Sequence, residues 1–369
     1  MEQQNLFAPG SVNRGRQLEL DLVRGLAILF MLLVHCHEMF SVYPFEPTWS
    51  TYVIRFLGSP PAAPVFMFAL GVGVAYTRKN TAKELARRGL QLFILSYVFT
   101  FCRDFVTQFL VYLRTKDPFM LEEAVTYLFG VDILTFAGLT FLFFAAGAKL
   151  RFRSVHYAAA ALICAALNLL LARVTVTAPA LYRFTDLIWG TSEYTWFPFL
   201  TWIPFPISGY LFGQLLLLCL DKNRFYRSCL WVSVPGMLAL GLFSWLQGLD
   251  YGWGDGLWET AYFHHNLVGN LLLLSFVVSW LAAFYFLSPR LPRFVVTTLC
   301  RWSRNITEMY WIHWMIIVYT WVFLRDPWPL PWILAFFVVL VPATDYLAST
   351  YLSLKVRLQP PKAAGGSAA

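Results

Sequence analysis

Residues 20–40 read LDLVRGLAILFMLLVHCHEMF. The run is long enough to cross a bilayer, since about 20 mostly apolar residues suffice. Yet Asp21 and Arg24 stand at one end, and His35, His37 and Glu38 at the other. In a helix facing lipid each of these groups is expensive. The stretch therefore reads as a helix buried in protein or lining a path, and the rest of the chain must supply that protein.

The composition does supply it. The chain has 369 residues, 59% hydrophobic and 13% charged, against roughly a half and a quarter in soluble domains. That balance predicts an all-α, polytopic membrane helix bundle. Ten apolar segments fit a spanning helix: 20–42, 60–77, 88–112, 131–148, 155–174, 197–220, 229–248, 266–288, 303–324 and 329–353. The second opens on SPPAAP, which predicts an irregular start. The sixth holds Pro198, Pro204 and Pro206, which predicts a break tolerated only where protein or water satisfies the freed backbone.

The net charge of +8 does not point to nucleic acid, because the basic residues lie in short loops between apolar runs. Alternate loops on one side hold 20 basic residues, those on the other hold 6, and Arg24 and Arg103 fall inside spans. By the positive-inside rule, both termini are cytoplasmic. Three regions follow: a cytoplasmic arm 1–15, a transmembrane domain 16–355 and a small, Pro/Gly-rich tail 356–369 expected to be disordered. The first 19 residues hold no apolar signal region, so the first span directs insertion itself. The six cysteines show no CxxC or metal spacing and read as small buried hydrophobes.

This orientation puts His35 and Glu38 toward the outer face. The loop before His264 and His265 carries Asp250, Asp255 and Glu259 and no basic residue. Both histidines read as interfacial, with acceptor binding as the alternative. At 100° per residue, Arg24, Asp21 and Glu38 lie within about 20°, 40° and 60° of His35, whereas His37 points to roughly the opposite side. Arg24 and His35 are about 16 Å apart along the axis. One polar stripe thus runs the length of the helix. Asp21 and Arg24 have a plainer reading as anchors of the cytoplasmic end, and His37 as an interfacial residue.

The stretch LDLVRGLAILFMLLVH resembles the opening of a superfamily of multi-pass acyltransferases. There an Arg-Gly pair, here Arg24-Gly25, precedes a histidine by eleven positions, here His35. Further pieces follow in order: GSPPAAPVFMFALGVGVAYTRK (58–79), LARRGLQLFILSYV (85–98), GVDILTFAGLTFLFFAAGAKLR (130–151), WFPFLTWIPFPISGYLFGQ (196–214) and SRNITEMYWIHWMIIVY (303–319). Over residues 16–325 the chain resembles the bacterial branch of the heparan-alpha-glucosaminide N-acetyltransferase catalytic-domain family, a relative of the acyltransferase-3 family. The lysosomal members carry a catalytic histidine in the loop after the first helix. Residues 43–58 hold none here, so the resemblance gives that place to His35 through the acyltransferase-3-like position.

The resemblance implies transfer of an acyl group, foremost acetyl, from acetyl-CoA or another acyl-CoA to a sugar or glycan at the outer face of a bacterial cytoplasmic membrane. Its chemistry needs a base for the acceptor's proton and a donor for the developing oxyanion. His35 is the candidate base, or itself the acyl carrier. Glu38, one turn on, either fixes the imidazole tautomer or is solvated. Arg24, Arg87 and Arg88 lie where acyl-CoA phosphates would arrive, although topology alone accounts for Arg87 and Arg88. Arg24, Asp21, Asp132, Tyr310 and His313 are the candidate substrate-binding residues: Tyr310 and His313 share one side of the ninth span, with a Tyr–His hydrogen bond as the plain alternative, and Asp132 meets the outer cavity. Gly209 and Gly213 suit close helix packing. No HExxH or i,i+4 histidine pair occurs, so no metal is expected. The rival readings are a transporter or flippase of a glycan or lipid-linked substrate, which ten spans and a Pro-broken helix also suit, and an inactive scaffold. No inverted repeat between the halves is visible.

Overall fold

A computed structural model describes residues 5–41, 48–171, 174, 176, 178–190, 192, 194–248 and 262–358. The acidic loop holding Asp250, Asp255 and Glu259 lies outside them. Among the described residues the chain is helical, with no strand. The helices are α1 (Leu18–Phe40), α2 (Trp49–Gly58), α3 (Ala63–Tyr76), α4 (Ala82–Thr100), α5 (Val106–Thr115), α6 (Pro118–Tyr127), α7 (Ile133–Lys149), α8 (Ser154–Leu171), α9 (Pro179–Ile188), α10 (Phe199–Trp202), α11 (Pro204–Leu218), α12 (Lys222–Leu246), α13 (Leu267–Leu287), α14 (Arg293–Arg304), α15 (Ile306–Phe323) and α16 (Leu330–Leu358).

Each of the ten segments read from the sequence is helical. Seven helical stretches are long and apolar enough to cross a membrane, and α7 is a shorter apolar helix. The fold is therefore an all-α polytopic bundle. The irregular start of the second segment is a turn at Ser59–Ala62 between α2 and α3, and the proline-rich sixth is broken between α10 and α11. α16 runs on to Leu358, into the segment set apart from 356 onward. The amino-terminal arm folds back onto the end of α11, where the Ala8 N–H donates to the Leu218 carbonyl and the Leu220 N–H to that of Leu6.

Local chemistry sets the helix starts. Thr81 and Glu84 form a reciprocal capping box on α4, and Asp132, Asp221 and Asn266 cap α7, α12 and α13 through their side chains. Each cap satisfies backbone N–H groups that a helix start leaves without partners. α1 is the central element, lying against α2, α3, α13, α14, α15 and α16. Leu22, Ala27, Ile28, Leu32 and Cys36 along it are fully buried.

In lipid, helices associate through close packing rather than a hydrophobic drive, so small residues let backbones approach. α3 crosses α11 where a Cβ on Gly71 would strike the Pro206 carbonyl, and one on Gly209 the Phe68 carbonyl. Gly213 faces Ala75 in the same seam, which makes Gly209 and Gly213 the packing pair expected. Gly209→Val is expected to lower stability by about 1–3 kcal/mol by forcing these helices apart. Gly73→Ala, in open space on α3, is the control. Thermal unfolding of both in detergent checks this; equal melting temperatures would remove the seam's importance.

Candidate active site

Two cavities lie end to end along the polar stripe of α1. The first, about 390 Å³, is lined by His35 and Glu38 of α1, with Arg103, Asp104, Gln108, Asp132, Tyr310 and Trp314 from other helices and an aromatic wall that includes Trp196, Phe197 and Tyr262. The second, about 300 Å³, is lined by Arg24, Arg88, Arg304 and Thr307 and then by apolar side chains such as Ile28, Leu70 and Phe141. Met31, Ile133 and Tyr310 line both and form the neck between them. The helical stripe thus became a lined path, with Arg24 at one end, Met31 in the neck and His35 beyond it.

The first cavity is built on a buried ionic cluster. Arg103 and Asp104 lie in Phe101–Phe105, a π-helical turn between α4 and α5. Neighbouring residues of an α-helix point about 100° apart. The wider turn brings both side chains to one cavity, a setting in which such turns recur. Arg103 holds Asp104 at 2.9 Å and Asp132 at 2.6 Å. Its guanidinium lies between the rings of Phe99 and Trp314, 4.8 Å from each centroid. Asp132 also accepts hydrogen bonds from the Tyr310 hydroxyl at 2.7 and 2.9 Å and from the Leu134 N–H at 3.2 Å. A buried charge is tolerated only when paired in this way.

His35 meets α15. Its Nδ1 is 3.0 Å from Nε2 of His313. The two rings are 6° from parallel with centroids 5.3 Å apart, so they meet edge to edge rather than face to face. His313 is fully buried, and its Nδ1 lies 2.8 Å from the Met309 carbonyl oxygen. Trp314 covers His35, with ring centroids 4.1 Å apart.

The second cavity is basic. Arg24, Arg88 and Arg304 line it with no carboxylate among its walls. None of the three forms an ion pair among the described residues. Arg88 lays its guanidinium 4.4 Å from the centroid of Phe141.

Several residues read from the sequence take other places. Arg87 lines neither cavity, whereas its neighbour Arg88, exposed like Arg87, reaches the second one. Asp21 turns from the cavities and ties α1 to α14 through the Ser303 hydroxyl at 2.8 Å, with Arg16 as its ion-pair partner. Tyr310 and His313 do not bond each other: the Tyr310 hydroxyl goes to Asp132 and the His313 ring to His35. The partner found at His35 Nδ1 is likewise His313 rather than Glu38. His37 and His265 are buried within the bundle; His265 is held by the Tyr262 carbonyl and Asn270 against Trp202.

Arg103, Asp104, Gln108, Trp314 and Arg304 were not among the sequence candidates. For Arg103 and Asp104 the signal was present, as an adjacent ionisable pair inside an apolar run. The three-dimensional approach of α7 and α15 was not.

Among the described residues no three metal-binding side chains cluster. Fold and site together define an integral-membrane protein with a cluster of ionisable side chains lining a cavity inside the helix bundle. Residues 16–241 match the family described as heparan-alpha-glucosaminide N-acetyltransferase, catalytic. The chain belongs to that family, and membership points to a membrane acetyltransferase. The match takes in α1, the π turn and α7 but stops before α15, which brings His313. No curated protein and no solved structure gave a significant match.

Proposed function

We propose that the protein takes an acetyl group from acetyl-CoA, seated in the basic cavity from the cytoplasmic side, and passes it to a sugar or glycan amine or hydroxyl in the outer cavity. The observation that carries this reading is the pair of cavities meeting at a neck one helical turn from His35. Three arginines without carboxylate partners suit the phosphates of CoA. From Arg24 to His35 is about 16 Å along α1. The pantetheine arm of a CoA thioester resembles four to five peptide units, so it extends roughly 15 Å. Phosphates at Arg24 therefore leave the thioester at His35.

On the outer side, the aromatic walls suit sugar faces, and Gln108 Oε1 is a buried acceptor with no partner. His35 accepts the proton of the acceptor O–H or N–H as that heteroatom bonds to the thioester carbonyl carbon. The C–S bond breaks, and the leaving thiolate takes the proton back from His35. Arg103 gives three of its five N–H groups to Asp104 and Asp132 in the named contacts, which leaves N–H groups on the cavity side for the developing oxyanion.

Purified protein in proteoliposomes, with labelled acetyl-CoA on one side and candidate glycans on the other, tests the reading. Label should appear on the acceptor only with the thioester on the Arg24 side. Arg24→Gln is expected to raise the donor KM about tenfold or more, the worth of a charged hydrogen bond, with little change in kcat. Glycan crossing without consumption of thioester would instead establish transport.

A further inference from the structure

We infer that His313 is the positioning residue that holds His35 in one tautomer, with the proton on Nδ1 and the lone pair on Nε2. The Met309 oxygen only accepts, so the His313 Nδ1 that lies 2.8 Å from it carries a proton. A neutral imidazole has one N–H. His313 Nε2 is then an acceptor, and the His35 Nδ1 that lies 3.0 Å from it donates. The reverse arrangement would set the His313 Nδ1 lone pair against the carbonyl oxygen inside a fully buried site. One backbone carbonyl, fixed in the hydrogen-bonded frame of α15, thereby decides which nitrogen of His35 is basic.

The consequence falls on the cavity. His35 lines it, its Nδ1 is engaged, and Nε2 has no hydrogen-bond partner among the described residues. Trp314 on its face fixes the ring plane. The ring thus presents a lone pair at Nε2, the form that takes an acceptor's proton or attacks a carbonyl carbon. When Nε2 gains a proton, His313 Nε2 is in place to share the charge through the Nδ1–H bond. The paired residues are eleven helix positions beyond Arg24 and three beyond Tyr310, on helices far apart in sequence. The arrangement has the logic of a catalytic triad, in which a partner behind the base sets its tautomer, here with a histidine and a backbone carbonyl in place of a carboxylate.

The kinetic arm of the test rests on the acyl-transfer reading, and the chemical arm does not. His313→Leu removes the acceptor at similar size, and His313→Gln keeps an acceptor oxygen near the Nε2 position. In the acetyl-transfer assay, His313→Leu is expected to lose about 10²-fold or more in kcat with donor and acceptor KM nearly unchanged. His313→Gln is expected to recover most of that loss. In parallel, diethyl pyrocarbonate, which acylates an unprotonated imidazole nitrogen, is applied to folded protein in detergent, and the adduct at His35 is followed by mass spectrometry. Its rate should fall severalfold in His313→Leu and return in His313→Gln, each variant being checked for native melting. Unchanged labelling at His35 in folded His313→Leu overturns the inference whether or not acetyl is transferred. Normal labelling shifts with no acetyl transfer in the wild type would leave the inference standing and remove the acyl-transfer reading.

Discussion

His35→Ala is expected to lower kcat for acetyl transfer by about 10²–10⁴-fold, the usual contribution of a positioned general base. Donor KM should move little, since the basic cavity lies about 16 Å away along α1. The substitution also leaves His313 Nε2 buried without its donor, which costs about 1–3 kcal/mol. Activity and melting temperature must therefore be read together. The decisive comparison uses wild type and variant at a temperature where both are folded, with acetyl-CoA and acceptor each saturating. Equal rates there would remove His35 from the chemistry and leave its pairing with His313 as packing.

Arg103→Met is expected to produce the largest loss of stability, about 3–5 kcal/mol, because it strands charge in the interior. Arg103 is 5% exposed and Asp132 3%. Without the guanidinium, the Asp104 and Asp132 carboxylates lose the cation that both of them pair with. The loss should spread to the site, since Asp132 both caps α7 and holds the Tyr310 hydroxyl in the neck. Arg103→Lys should restore only part, as an ammonium lacks the fork that reaches both carboxylates. Adding Asp132→Asn to Arg103→Met should relieve some of the cost by removing one stranded charge. Chemical unfolding of the detergent-solubilised variants measures all three. An Arg103→Met variant within about 0.5 kcal/mol of wild type, the range of ordinary surface changes, would show that the cluster is not a structural keystone.

The two effects belong to different layers. On the proposed reading His35 acts on the substrate, whereas Arg103 holds the walls of the cavity that both residues line. Trp314 joins them, with His35 on it at 4.1 Å and the Arg103 guanidinium at 4.8 Å. A cation over an indole face gains from the ring's electron density. A single aromatic side chain therefore touches both His35 and the ionic cluster.

Much of α1 was legible in advance because a helix has a fixed period. Arg24, His35 and Glu38 fall on one side by arithmetic, and the two cavities lie along that side. Asp21 left the stripe because it stands at the helix start, where a hydroxyl on α14 lay within reach. Arg87 and Arg88 were indistinguishable as letters. A rotation of 100° on α4 put only Arg88 at the second cavity, over Phe141. A Tyr310–His313 bond is the plain expectation because residues three apart on a helix are neighbours, but each side chain meets a partner from another element, Asp132 and His35.

The sequence by itself determined the all-α bundle and the polar face of α1, for these follow from local hydrophobicity and helical periodicity. The tertiary structure decided the rest. It brought Asp132 to Arg103, 29 positions away, and His313 to His35, 278 positions away. No local rule foretells such meetings. They depend on how glycine seams and a π turn set the crossings of helices, and so on which buried polar group is left to satisfy which other.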